Sequence, residues 1–311
     1  MQNWAGWFDA GTAQGAVRRF VRQSNPMNVI IGPWGHGGEV HLDPLRSPDE
    51  AIPPAMTAQD ANDFRFADAC LTGQIASEKG KVLHYYTLGE GWKSTHMWPV
   101  PATRRTWYMA SGRRLATSPD EVGFDSLEVD RSLGDTASKR WAQNGDLEFG
   151  GDRRQFDAAR LAYTSEPLTG DLEITGHPVI HLNISSTRED GGFFAYLEGV
   201  RPDEVSYYLT EGQLRASHRK VWPDSPFSSF GPQQRHFRAD AEPLTPGVPT
   251  AMSFTMHPIS ARLPAGHRLR VVVAGSDYPT FTNVPVDGTP PNLQFHRGPG
   301  GCKIDLPIIE P

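Results

Sequence analysis

A chain of 311 residues, 38% hydrophobic and 21% charged, holds material for one large or two ordinary globular domains. Its formal charge of −6 comes from 30 basic and 36 acidic residues that are interspersed, with no basic run longer than pairs such as Arg113-Arg114 and Arg219-Lys220. That excludes the concentrated basic face nucleic-acid phosphates require. No apolar run approaches the ~20 residues that span a bilayer, so no membrane partner is expected. Met1-Gln2-Asn3-Trp4 lacks the basic and apolar regions of a secretory signal; a cytoplasmic location is the default, and a start internal to a longer gene would leave export open. Cys70 and Cys302 form neither a CxxC pair nor a disulfide framework.

In chain order, a first apolar segment ends at Trp7-Phe8-Asp9. Over residues 11–24, Ala13, Ala16, Val17, Phe20 and Val21 recur at helical spacing while Arg18, Arg19 and Arg22 take the other side, which predicts a surface helix packed on a sheet. Val29-Ile30-Ile31, closed by Gly32-Pro33, is short and β-branched, as a buried parallel strand should be. Strand, helix and strand in about thirty residues make a βαβ unit. Residues 56–72 predict a second helix, with Phe64, Ala67, Asp68 and Leu71 on one face and Gly73 as its stop; it is expected to cover the last strand.

From Lys81 the period changes. Short aromatic and β-branched runs at 82–88, 105–109, 159–164, 179–185, 193–197, 206–209, 250–256 and 269–274 alternate with Gly, Pro, Asp and Asn clusters. Many short strands without helical period predict an antiparallel sandwich of jelly-roll type. Pro99-Val100-Pro101 punctuates the chain and divides it into residues 1–100 and 101–311, with a long loop-rich excursion at 120–155 and no internal repeat.

In a parallel α/β sheet, functional groups collect beyond the carboxyl ends of the strands. Asp9 follows the first apolar segment and His36, in Gly32-Pro33-Trp34-Gly35-His36-Gly37, follows the second, so both should project from one edge. An acid and an imidazole so placed are two members of a Ser-His-Asp triad. The α/β-hydrolase order of serine, acid and histidine puts the nucleophile before residue 1, and no Gly-x-Ser-x-Gly occurs in the 311 residues. Other readings stay open: Asp9 as the N-cap of the following helix, and His36 as a solvated residue of a Gly-rich turn. His36, Glu39 and His41 have a loose metal-ligand spacing with no fixed helix or further ligand behind it, so no metal or other cofactor is assigned. His177, His181, His218, His257 and His267 lie in or beside predicted strands as packed or solvated residues. Trp7, Trp34, Trp92 and Trp98 line an acyl pocket or belong to the core.

Several of these pieces resemble the serine hydrolases that include cocaine esterase, the α-amino acid ester hydrolases and the Xaa-Pro dipeptidyl-peptidases. The matching residues are Gly6-Trp7-Phe8-Asp9, Ile31-Gly32-Pro33-Trp34-Gly35-His36, Phe64-Arg65-Phe66-Ala67-Asp68 before Leu71-Thr72-Gly73, and Gly91-Trp92. The strand-rich part adds Tyr163-Thr164-Ser165-Glu166-Pro167-Leu168, Asp171-Leu172-Glu173-Ile174-Thr175-Gly176, Glu211-Gly212-Gln213-Leu214-Arg215-Ala216-Ser217 and Ala265-Gly266-His267-Arg268-Leu269-Arg270.

The resemblance implies the C-terminal remnant of an α/β-hydrolase domain (1–100) followed by a jelly-roll β-sandwich (101–311) of the Xaa-Pro dipeptidyl-peptidase C-terminal type. By the same resemblance Asp9 is the triad acid and His36 the triad base, and the substrate is a small-molecule ester, amide or peptide cleaved through an acyl-enzyme. The nucleophile elbow, the oxyanion hole, most of the sheet and the helical cap of the family are missing from these residues. The chain alone is therefore expected to be inactive and to need an N-terminal hydrolase portion as its partner. Uncovered strand edges also favour association with a second copy. The rival expectations are a noncatalytic jelly-roll binding module and one subunit of a split hydrolase.

Overall fold

Gln2–Gly6 forms strand β1, Thr12–Arg22 helix α1 and Met27–Gly32 strand β2 in the computed structural model, which describes residues 1–74, 80–132, 140–141, 151–226 and 230–310. β1 and β2 are parallel, paired from Gln2 opposite Asn28 to Gly6 opposite Gly32. α1 returns the chain between them and buries Ala13, Ala16, Val17 and Phe20 against both strands, leaving Arg18, Arg19 and Arg22 outside. β2 is buried along almost its whole length, which is why its sequence is a continuous apolar run and not an alternating one.

The run at 82–88 extends this first sheet. β3 (Lys81–Thr87) lies parallel to β2 on the side away from β1, and β4 (Gly91–Thr95) folds back antiparallel on β3, in the order β1-β2-β3-β4. The crossover from β2 to β3 carries helix α2 (Met56–Leu71). The helix is where its spacing put it, but the expectation that it covers a strand is corrected. Among the described residues none of α2 is buried, and Phe64 and Leu71 are 76% and 87% exposed. Trp34 packs between Trp4 and Trp92, whose ring also meets Tyr86 of β3. The helix is tied on by polar contacts instead: Asp63 accepts from Gln2 Nε2 (2.5 Å) and Trp4 Nε1 (2.8 Å), and Gln59 Nε2 donates to the Gly38 carbonyl (3.3 Å).

From residue 103 onward the described residues are mostly strand. The elements are β5 (Thr103–Ala110), β6 (Arg114–Ala116), β7 (Gly123–Glu128), the short helix α3 (Arg154–Ala158), β8 (Leu161–Thr164), β9 (Leu172–Gly176) and β10 (Val179–Ser186). They continue as β11 (Gly192–Val200), β12 (Ser206–Arg215), β13 (Thr250–Thr255), β14 (Ile259–Leu263), β15 (Arg268–Ala274), β16 (Asn292–Arg297) and β17 (Lys303–Ile309). Their main hydrogen-bonded path runs β12-β11-β15-β8-β6-β5-β17-β10-β16-β7, with β13 on β10 and β9 joining β14 to β17. All of these pairings are antiparallel except β6 with β8. The result is a β-sandwich whose interior holds fully buried Tyr163, Phe193, Tyr196, Tyr207 and Phe295. The loop-rich reading of 120–155 is corrected at its start, where β7 pairs with β16. Residues 133–139 and 142–150 of that stretch lie outside the described residues.

The two sheets meet at the end of β3. Leu88 donates its N–H to the Ser260 carbonyl and accepts from Arg262 N–H (2.9 Å each), and the Ser260 hydroxyl bridges Thr87 (2.9 Å) and Thr175 (2.8 Å). Among the described residues no helix is long and apolar enough to cross a membrane.

Candidate active site

β1 ends at Gly6 and the chain turns sharply. Trp7 N–H donates to the Gly32 carbonyl (2.9 Å), Phe8 N–H to that of Trp34 (3.0 Å) and Asp9 N–H to that of Gly6 (3.3 Å). Trp7 and Phe8 are fully buried, so apolar packing pins the turn from inside and leaves Asp9 at the carboxyl edge of the sheet. β2 ends at Gly32, and the chain passes through Pro33-Trp34 into a loop in which Gly37 (φ 93°) and Gly38 (φ 75°) occupy conformations that residues with a Cβ avoid. The loop is closed where Leu42 N–H donates to the Pro33 carbonyl (2.6 Å).

These two turns bring the sequence-predicted pair together. His36 Nδ1 lies 3.2 Å from Asp9 Oδ1. The carboxylate is recessed, its side chain 14% exposed, whereas the imidazole in front of it is 58% exposed, and Nε2 has no hydrogen-bond partner among the described residues. In a triad the acid holds Nδ1–H, fixing the tautomer in which Nε2 is the base that takes the nucleophile's proton. The geometry has that sense. The N-cap reading of Asp9 does not hold: the N-cap of α1 is Gly11, and it is the Asp9 main-chain carbonyl that accepts from Thr12 N–H (2.9 Å) and Oγ1 (2.8 Å).

The remaining sequence candidates fall into structural places. His41 Nδ1 accepts the Asp43 amide (3.3 Å), and among the described residues no group of three His, Cys, Asp or Glu is arranged to hold a metal ion. Trp7, Trp34 and Trp98 are core: Trp7 Nε1 donates to the Tyr86 carbonyl (2.6 Å) and Trp98 Nε1 to His177 Nε2 (3.2 Å). Trp92 is partly open and donates to the Pro53 carbonyl (2.6 Å). His177 stacks on Phe230 at 4.2 Å, and burial pushes its pKa down to about 3; burial likewise pushes His257 far down. His181 sits between Ser253 and Asp305, His267 pairs with the Tyr207 hydroxyl, and His218 faces His236.

Two residues near the pair were not singled out by the sequence. Asp43 has a buried side chain whose oxygens accept the amides of Leu45 (3.0 Å) and Gly89 (2.9 Å), so it ties the His36 loop to the β3–β4 turn; burial raises its pKa despite those bonds. An Asp before Pro44 is a turn signal in retrospect. The other is Arg140, which reaches the residue after Asp9 from the sandwich side.

A four-stranded sheet presenting an acid–imidazole pair is thus joined to a large antiparallel sandwich. Residues 75–300 match the X-Pro dipeptidyl-peptidase C-terminal non-catalytic domain, and the chain belongs to that family. It is 38% identical to a protein of Mycobacterium bovis named as a serine esterase, covering 99% of this chain and 50% of that one. It is 26% identical to the cocaine esterase of a Rhodococcus species, covering 98% and 56%. The structure of an α-amino acid ester hydrolase superposes with a TM-score of 0.70 at 20% identity over 98% of this chain and 54% of the other, a likeness of fold. The chain spans about half the length of the relatives it matches.

Proposed function

We propose that this chain is the C-terminal part of a serine hydrolase that cleaves ester or amide bonds, including acyl or Xaa-Pro dipeptidyl bonds, through an acyl-enzyme. Asp9 is the triad acid and His36 the general base, on residues 1–100 as the end of an α/β-hydrolase domain; residues 101–311 are its jelly-roll sandwich. The observation that carries this reading is the 3.2 Å contact from Asp9 to His36 Nδ1 with the Nε2 side turned to solvent. The nucleophilic serine is supplied by a hydrolase portion outside these residues, contiguous with the chain or in a separate subunit. His36 takes the serine proton as the acyl-enzyme forms and returns it to the leaving group, and Asp9 stabilises the imidazolium between the two events.

The test expresses the chain in frame with the coding sequence upstream of Met1, or with a separately encoded partner bearing Gly-x-Ser-x-Gly, and follows p-nitrophenyl ester and p-nitroanilide hydrolysis with fluorophosphonate labelling. The expected result is labelling of one serine and loss of turnover in His36→Ala. Near-normal turnover in His36→Ala overturns the assignment.

A further inference from the structure

The turn that carries Asp9 is gripped from the sandwich. Arg140 is completely buried, and it meets Ala10 through two opposed hydrogen bonds: Ala10 N–H donates to the Arg140 carbonyl (2.8 Å), and Arg140 Nη1 donates to the Ala10 carbonyl (3.1 Å). The rest of the guanidinium is anchored on β12, where Nε donates to the Tyr208 hydroxyl (2.9 Å) and Nη2 to Thr210 Oγ1 (3.0 Å). Tyr208 and Thr210 flank an irregularity in the β11–β12 register, where Leu209 is left unpaired, and both side chains meet the guanidinium. Neither anchor is loose: the Tyr208 hydroxyl donates onward to Glu211 Oε2 (3.0 Å), and Thr210 Oγ1 donates to the His257 carbonyl (2.9 Å). The Phe8 ring packs on Tyr208 with centroids 6.1 Å apart, so the residues on both sides of Asp9 rest on the same tyrosine and arginine.

Ala10 itself shows what the grip is for. Its φ is 41°, a left-handed conformation that costs a residue with a Cβ about 1–2 kcal/mol and persists only where surroundings over-determine it. Both main-chain polar groups of Ala10 are taken by Arg140, so the arginine fixes the peptide planes on either side of that residue, and with them the direction in which Asp9 leaves the backbone. Asp9 is then aimed at His36 by a chain of contacts that begins on strand β12.

We propose that Arg140 is a positioning residue for the triad acid, so that the sandwich of a family described as non-catalytic sets the geometry of the acid–imidazole pair through Ala10. This rests on the triad reading of Asp9 and His36 given above. Arg140 acts through the backbone and is not itself a catalytic residue.

The test compares Arg140→Met, Arg140→Lys and Asp9→Asn in the complete enzyme, with kcat counted per folded molecule from calorimetry and KM measured alongside. Arg140→Met is expected to lower kcat about 10- to 100-fold, the range a small misplacement of a catalytic group produces, with KM changed less than about twofold. Arg140→Lys, which keeps the charge but cannot span Ala10, Tyr208 and Thr210 at once, is expected to lose less and carries the same readout if the methionine variant does not fold. A merely structural arginine would reduce the folded fraction and leave kcat per folded molecule unchanged. Wild-type kcat per folded molecule in the Arg140 variants, with Asp9→Asn inactive, overturns the positioning role alone; full turnover in Asp9→Asn overturns the triad reading and this inference with it.

Discussion

A Cβ placed on Gly6 would stand 2.1 Å from the carbonyl oxygen of Trp34, so the end of β1 and the start of the His36 loop touch backbone to backbone. Gly32, paired with Gly6 across the two strands, is equally confined: a Cβ there would enter the Trp34 ring at 2.2 Å. Two glycines facing each other let the turns after β1 and β2 approach closely enough for Asp9 to reach His36. Gly6→Ala is therefore expected to push the Trp34 carbonyl away, because a backbone atom cannot yield as a flexible side chain would. The expected loss is about 1–3 kcal/mol in denaturant unfolding, together with lowered turnover in the complete enzyme. An alanine at position 6 with unchanged stability would refute the close approach.

The acid–imidazole pair should matter for chemistry and hardly at all for folding. His36 is more than half exposed, and exposed pairs contribute about 0–1 kcal/mol. Asp9→Asn and His36→Ala are thus expected to unfold within about 0.5 kcal/mol of the parent while turnover in the complete enzyme drops roughly 10³- to 10⁴-fold. A variant losing stability and activity in proportion would mean that the pair is a structural contact.

The contrast between what sequence patterns foretold and what only the folded chain shows runs along local against non-local information. α1 and β2 were legible because Ala13, Ala16, Val17 and Phe20 repeat at the helical period and Val29-Ile30-Ile31 has no polar interruption. The closeness of Asp9 to His36 was legible because successive parallel strands place their ends side by side. α2 was read correctly as a helix and wrongly as a cover, since apolar spacing says which face seeks burial and not whether anything is there to bury it; Trp34, between Trp4 and Trp92, packs in its stead. Arg140 was illegible because its partners Ala10 and Tyr208 are 130 and 68 residues away and no motif links them.

The exposed face of α2 leads to a prediction about association. Phe64 and Leu71 are open to solvent, and among the described strands β1 pairs only with β2. Apolar side chains beside an unpaired strand edge favour self-association or a partner. The chain by itself is expected to sediment or elute larger than a monomer, and Phe64→Ser with Leu71→Ser to shift it toward the monomer in light scattering. A monodisperse wild-type monomer that melts cooperatively would count against the idea that this face is meant to be covered.

Acid should destabilise the chain through its buried imidazoles. His177 is held neutral by burial, its Nε2 accepting the Trp98 indole N–H and its ring stacked on Phe230, while the Arg18 guanidinium further opposes a second proton. Its folded pKa of about 3 lies below the ordinary 6.5, so between those values the unfolded chain binds a proton that the native chain does not. The stabilising contribution is complete above about pH 6.5 and is lost as the pH falls toward 3, at up to ~1.4 kcal/mol per pH unit. His257, shifted in the same direction by burial and by Arg140, adds to the slope. His177→Gln keeps an acceptor for Trp98 but cannot take up the proton. Its unfolding free energy should therefore fall less steeply from about pH 6 to pH 4 than that of the parent, by up to the same ~1.4 kcal/mol per unit. Equal slopes for parent and variant in urea titrations across that range would show that His177 is not the buried neutral base the fold makes it.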